Sequence, residues 1–268
     1  MTTLPETKSI LLDLDNGWLT IAFNTPENRN ALSKELTSEL LATLNAVRDD
    51  RNVRGITLRG KGGVFCAGGD LKSFKSGFHG GEATKADVAK ANRGGGEMFA
   101  LINSMPQVVI ALVDGAAIAG GLGMVCCADV VAVTKDAKFA LTETQLGIAP
   151  AQIAPYVVQR LGLSMARRLM LTAARFNGEQ AEGYGLADYV AEDDAGFDEF
   201  EMSIRKNVMR CAPGANAITK EILLAAPNLN AEEMMDFAAD GFARCMMSDE
   251  GREGIASFVE KRKPSWAL

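Results

Sequence analysis

Two glycine-bearing stretches, each directly after an apolar strand-like run, constrain this chain more than any other feature. Gly55-Ile56-Thr57-Leu58 comes shortly before Phe65-Cys66-Ala67-Gly68-Gly69-Asp70-Leu71. Gln107-Val108-Val109-Ile110-Ala111-Leu112-Val113 leads into Asp114-Gly115-Ala116-Ala117-Ile118-Ala119-Gly120-Gly121-Leu122-Gly123. Glycine after a strand lets the backbone approach a ligand closely and aim N–H groups at it. Neither stretch is a phosphate loop, because no Lys-Ser/Thr follows a spaced glycine pair and no G-x-G-x-x-G opens a helix. Two such loops can direct two donors at one oxygen, the geometry that stabilises an oxyanion.

The rest of the chain reads as alternating strands and helices. Asp15-Asn16-Gly17 between Ile10-Leu11-Leu12-Asp13-Leu14 and Trp18-Leu19-Thr20-Ile21-Ala22-Phe23 predicts a hairpin with an Asn-Gly turn. Ser33 caps a helix whose Leu36, Leu40, Leu41, Leu44 and Val47 recur at helical spacing. Strands near 54–60, 107–114 and 129–134 alternate with helical segments, giving β-β-α units. Beyond Asn177 the pattern is mostly helical, near 178–185, 196–211, 213–225, 231–247 and 249–263. Between Lys72 and Gly96 the chain is polar and glycine-rich, and its helical stretch is expected to stop at Arg93-Gly94-Gly95-Gly96.

Composition narrows the class without choosing a function. At 268 residues the chain can bury a large core. A net charge of −6 argues against a general nucleic-acid binder. No apolar run reaches membrane-spanning length, and Met1-Thr2-Thr3-Leu4-Pro5-Glu6 lacks a signal peptide's basic and apolar regions, so a cytoplasmic location is expected. Cys66, Cys126, Cys127, Cys211 and Cys245 are odd in number and lack paired-ligand spacing, which predicts reduced core thiols and neither a disulfide framework nor a metal site.

The two glycine loops, in this order and spacing, resemble the crotonase (enoyl-CoA hydratase/isomerase) superfamily. The resemblance runs from about Leu12 to Arg262. It includes Asn24-Thr25-Pro26-Glu27-Asn28-Arg29-Asn30-Ala31-Leu32, similar to the family's N-R-P-x-x-x-N-A-L, and Phe258-Val259-Glu260-Lys261-Arg262-Lys263, similar to its F-V-E-K-R-K. It implies an α/β fold, a ClpP-like spiral of ββα units over residues 1–195, followed by a helical oligomerisation region over 196–268. A homotrimer or dimer of trimers is implied with it.

The resemblance also assigns roles. The backbone N–H groups of Gly69 and Gly120 form the oxyanion hole for the thioester carbonyl oxygen of an acyl-CoA. Glu143, in Lys138-Phe139-Ala140-Leu141-Thr142-Glu143, is the acid/base carboxyl. The backbone around Ala31, Ala67, Asp70 and Leu71 receives the adenine and pantetheine, with Lys261 and Arg29 toward phosphate and Phe258 beside Lys261. Coenzyme A enters as part of the substrate and no other cofactor is expected. The segment from Lys72 to Gly96 is a surface loop or a lid over the acyl pocket.

One departure stands out. Family hydratases usually carry a second glutamate where this chain has Gly123. One carboxyl can both activate water and return a proton, or can shuttle a proton between α and γ carbons. The implied activity is therefore hydration of an α,β-unsaturated acyl-CoA, with double-bond isomerisation as the alternative and a non-catalytic CoA-binding scaffold as the outside reading. The stretch from Phe139 to Val158, with Pro150-Ala151-Gln152-Ile153-Ala154-Pro155-Tyr156-Val157-Val158, is similar to bacterial methylglutaconyl-CoA and isohexenylglutaconyl-CoA hydratases. That similarity points to a branched, dicarboxylic acyl group, and Gly123 is expected to leave room for a branch at the β carbon. The single histidine, His79, has no G-x-S-x-G elbow to serve and reads as a loop residue. Met234, Met235, Met246 and Met247 read as helix packing.

Overall fold

A computed structural model describes residues 3–70 and 83–267. Its strands are β1 (Ile10–Asp15), β2 (Trp18–Phe23), β3 (Gly55–Gly60), β4 (Val108–Val113), β5 (Ala116–Ile118), β6 (Val130–Thr134), β7 (Lys138–Ala140), β8 (Phe176–Asn177) and β9 (Tyr189–Ala191). The hairpin forms as the Asn-Gly turn requires, with Asn16 at φ 48° and Gly17 at φ 77°. From β2 onward the main sheet is parallel, in the order β1-β2-β3-β4-β6-β9. Its central strands are near-continuous apolar runs, because a parallel sheet covered on both faces exposes neither.

The helices are α1 (Lys34–Val47), α2 (Lys85–Ser104), α3 (Gly120–Cys127), α4 (Ala154–Thr172), α5 (Gly178–Gly183), α6 (Asp194–Val208), α7 (Pro213–Ala225), α8 (Ala231–Met247) and α9 (Asp249–Val259). Ser33 Oγ accepts from Leu36 N at 3.1 Å, and Leu36, Leu40, Leu44 and Val47 of α1 are buried, as the spacing requires. β4-β5-α3 and β6-β7-α4 are successive ββα turns. Each sends one strand to the main sheet and one to a small sheet of order β5-β7-β8. A bridge from Cys66 to Ala117 extends that small sheet toward the loop after β3.

One boundary differs from expectation. The helix expected to stop at Gly94-Gly95-Gly96 continues through them to Ser104. A capping box between Thr84 and Asp87 starts it, Arg93 pairs with Glu97 at 3.3 Å, and Met98, Phe99, Leu101 and Ile102 are buried at its far end. Burial of those four side chains outweighs about 1 kcal/mol per glycine. Downstream, α6 packs Phe197, Phe200 and Ile204 on the sheet's other face. Arg54 ties the carboxyl-terminal region to the start of β3, donating to the carbonyls of Val208 and Trp266 at 3.3 and 3.2 Å and to that of Cys211. The helical run ends earlier than 263: α9 stops at Val259, and Lys261 takes φ 56°.

The methionines are not all in the core of the single chain. Met235 and Met247 are 67% and 73% exposed, because α8 turns that face away from α7 and α9. All five cysteines are free, and Cys66, Cys126 and Cys127 are buried. No helix among the described residues is long and apolar enough to cross a membrane.

Candidate active site

The small sheet brings the glycine loops together. Cys66 N donates to Ala116 O at 3.0 Å, and Ile118 N donates to Cys66 O at 2.9 Å. On the other side of the first loop, Ala67 N donates to Arg29 O at 3.0 Å and Leu32 N to Gly68 O at 2.8 Å. Four segments thus lie side by side: 29–32, 66–69, 116–119 and 138–140. The last joins because Ile118 pairs with Ala140 and Ala119 N donates to Ala140 O at 2.8 Å.

Within this frame each glycine has a specific task. Gly68 sits at φ 91°, and a Cβ there would lie 2.8 Å from Ile118 O and 3.4 Å from Gly120 N, so the two loops touch at backbone distance. Gly69 bridges Leu32 through the Gly68 carbonyl, which turns its own N–H away from Leu32, toward the segment that carries Gly120. Ala119 holds φ 52° and ψ −119°, a conformation costly for a residue with a Cβ. It turns the chain so that α3 begins at Gly120 with no side-chain cap. The Gly120 N–H is therefore a helix-terminal donor with no intrahelical partner, where the helix dipole favours negative charge.

Glu143 stands three residues beyond β7, at the same carboxyl-terminal edge of the small sheet as Gly120 beyond β5. Its Oε2 is buried with no hydrogen-bond partner among the described residues. Burial raises the carboxyl's pKa above the ordinary 4.5, opposed by a hydrogen bond from its own backbone. A half-buried carboxyl with an orphaned oxygen is poised to exchange a proton. The thiols are not: burial pushes Cys66, which accepts from Gly68 N at 3.4 Å, up to about 12.

Arg29, Ala31, Ala67 and Asp70 cluster along the first two segments, with Arg29 exposed at φ 58°. Leu71 and His79, with residues 72–82 of the segment read as loop or lid, lie outside the described residues, and from Lys85 that segment is helix α2. Phe258 and Lys261 stand elsewhere, at the end of α9, where Phe258 is 84% exposed and Lys261 N donates to Phe258 O at 3.2 Å.

Two features escaped the sequence reading. Asn30, fully buried at φ 53°, donates to Lys61 O at 2.9 Å and Val64 O at 2.7 Å and accepts from Thr25 N at 2.8 Å. It fixes the 25–31 turn under the first loop. Its position in the N-A-L segment was its only signal. The second is a correction. Gly123 leaves no room for a branch: a Cβ there would lie 2.8 Å from Ile153 Cβ and 3.3 Å from Phe99 Cε1. The space is filled by side chains rather than left for an acyl group.

Comparison with known proteins settles the kinship. The model of the family described as enoyl-CoA hydratase/isomerase matches residues 13–267. The chain belongs to that family. It is 29% identical to a crotonyl-CoA hydratase of Syntrophomonas wolfei, over 97% of this chain and 98% of that one. It is 30% identical to human enoyl-CoA hydratase domain-containing protein 2, mitochondrial, over 94% of this chain and 86% of that one. Among solved structures, Pseudomonas aeruginosa AtuE is 44% identical with a TM-score of 0.92, covering 97% of this chain and 100% of that one. An enoyl-CoA hydratase/isomerase from Marinobacter aquaeolei is 37% identical, also with a TM-score of 0.92, covering 97% of this chain and 99% of that one. The fold is the α/β crotonase fold, and the protein is an enzyme of the enoyl-CoA hydratase/isomerase type.

Proposed function

We propose that this enzyme adds water across the double bond of an α,β-unsaturated acyl-CoA through an enolate. The observation that carries the reading is Glu143, a carboxyl with one buried oxygen that has no partner among the described residues, at the sheet edge where the Gly120 N–H opens α3. In this mechanism the thioester carbonyl oxygen accepts from Gly69 and Gly120. The Glu143 carboxylate takes a proton from water as the water oxygen bonds to Cβ, and the π pair moves to the enolate. Protonated Glu143 then returns that proton to Cα, which restores the carboxylate and leaves the elements of water on the product. Each oxyanion donor contributes ~10²–10³ in rate.

Coenzyme A would lie along Ala31, Ala67, Asp70 and Leu71, with Arg29 and Lys261 toward its phosphates and Phe258 beside them. The apolar residues exposed on α8 and α9, including Phe242, Met247, Phe258 and Val259, suit a subunit interface, so a homotrimer or dimer of trimers is part of the reading. In such an assembly a neighbour's Phe258 and Lys261 can reach the site. The similarity of residues 139–158 to glutaconyl-type hydratases supports a branched, dicarboxylic acyl group, and a cytoplasmic location accompanies it. Isomerisation is the second reading, favoured by Gly123, which offers no second carboxyl.

A panel of enoyl-CoA thioesters, with and without a distal carboxylate, followed by product mass tests the reaction and the acyl class. Gain of the mass of water on a conjugated substrate supports the hydratase. Loss of conjugation shift with no mass change identifies an isomerase, and an unchanged panel leaves only the scaffold.

A further inference from the structure

Gln152 and Ile153, adjacent in sequence, each occupy the place of a missing side chain on a different helix. A Cβ on Gly96 of α2 would lie 3.0 Å from Gln152 Cδ, and one on Gly123 of α3 would lie 2.8 Å from Ile153 Cβ, with Ile153 Cγ2 nearer still. The two seats differ in stiffness. Gln152 offers the far end of a flexible side chain, whose amide donates to Asn92 Oδ1 at 2.8 Å, and it can move aside. Ile153 is β-branched, buried and stiff at χ1, and it cannot.

The seat on Gly123 also governs the chain that follows Glu143. Residues 144–149 are all exposed. Thr144 Oγ1 donates to Met170 O at 3.2 Å, and the next buried side chain is that of Ile153. Gly123 lies one turn of α3 from Gly120. Phe99 spans the same face, its Cζ 3.7 Å from a Cβ on Gly120 and its Cε1 3.3 Å from one on Gly123. The segment that carries Glu143 is therefore tied to the chain around Gly120 at both ends: before Glu143 by the bond from Ala119 N to Ala140 O, and after it by the rigid seat of Ile153 on Gly123, with an aromatic ring alongside.

Resting on the reading that Gly120 and Glu143 act on one acyl-CoA, we infer that Ile153 is a positioning residue for that reaction. Its seat on Gly123 fixes the downstream end of the segment whose upstream end is paired at Ala140, and the two together set how far Glu143 stands from the oxygen held at the start of α3. Phe99 backs the same face of α3. Between Glu143 and Ile153 no side chain is buried, so downstream of Glu143 the hold falls to Ile153.

The test is a cycle of Gly123→Ala, Ile153→Ala and the double variant, assayed by enoyl-CoA hydration. The Gly123→Ala methyl forces Ile153 outward, and a misplacement of about 1 Å costs ~10²-fold in rate. The expected result is a kcat lowered by that factor with KM changed far less, and most of the loss recovered in the double variant, where the obstructing side chain is gone. The acid limb of the kcat/KM profile, which reports Glu143, moves in Gly123→Ala and returns in the double variant. Variants that lose only thermal stability, with kcat and pH profile unchanged, overturn the inference. Should Gly123→Ala fail to fold, Ile153→Val, which keeps Cγ2, is expected to match the parent while Ile153→Leu, which loses the β-branch, falls with Ile153→Ala. Equal turnover in all three overturns the inference. A parent that hydrates no enoyl-CoA rejects the hydratase reading, which is a different outcome from an active parent with indifferent variants.

Discussion

Glu143→Gln is expected to make the protein more stable while nearly abolishing its activity. The side chain keeps its shape, but the ionisable group is gone. Glu143 Oε2 is buried without a partner among the described residues, and the carboxyl's pKa lies above 4.5 mainly because burial penalises the charged form. The sign follows from linkage. Above that ordinary value the unfolded chain has released the Glu143 proton while the folded protein retains it, so ν_N exceeds ν_U and stability falls as pH rises toward the folded pKa. Above the folded pKa the loss is complete.

The Gln amide stands unpartnered at the same buried place, so the cost of an unsatisfied polar atom is common to both proteins and the gain is only what burial costs the charge, about 1 kcal/mol for a residue this exposed. For a chain of this size that corresponds to a Tm rise of roughly 2–4 °C at about pH 8. The difference should shrink to nothing as pH falls below the ordinary glutamate range. Hydration kcat should drop by ~10² or more, as for loss of a positioned proton-transfer group. In the parent, kcat/KM should rise with pH through the raised Glu143 pKa, since the base form starts the reaction. Scanning calorimetry and a thioester-absorbance assay on the same preparations suffice. A Glu143→Gln protein that is less stable than the parent at about pH 8 refutes the buried-charge argument, and one that retains turnover removes Glu143 from the chemistry.

Other outcomes follow from the backbone and its supports. Gly69→Pro deletes the Gly69 N–H, and a folded variant should lose ~10²–10³ in kcat; steady-state kinetics with circular dichroism checks it, and full activity would dismantle the proposed hole. Ala119→Gly relieves a conformation that costs roughly 1–3 kcal/mol for a residue with a Cβ, offset by about 1 kcal/mol of chain entropy. Its Tm should equal or exceed the parent's with kcat little changed, and a lower Tm contradicts the strain. Asn30→Ala leaves Lys61 O, Val64 O and Thr25 N without their side-chain partner, and a destabilisation of about 3 kcal/mol is expected from urea unfolding. A loss below about 1 kcal/mol would mean the turn stands without it.

What the sequence disclosed and what it withheld divide along a physical line. The hairpin and the cap at Ser33 were legible because each is written in local backbone demands. Asn16-Gly17 needs positive φ wherever it stands. Helix α2 was misread at Gly94-Gly95-Gly96 because propensity is local, whereas the burial of Met98, Phe99, Leu101 and Ile102 that carries the helix past those glycines is tertiary. Gly123 was misread for a related reason. A missing side chain signals free space only until something else is known to fill it, and the filler, Ile153, belongs to a segment whose own sequence gives no hint of its neighbour. Phe258 and Lys261 present the reverse case: a recognisable motif stands at the exposed end of α9, and the described contacts of that segment keep it there. If a neighbouring subunit receives these two residues, Phe258→Ala should raise KM for the acyl-CoA only where the oligomer is intact, so a dilution series that dissociates it should erase the difference between parent and variant. A KM difference that persists in the dissociated subunit would place Phe258 at its own chain's site instead.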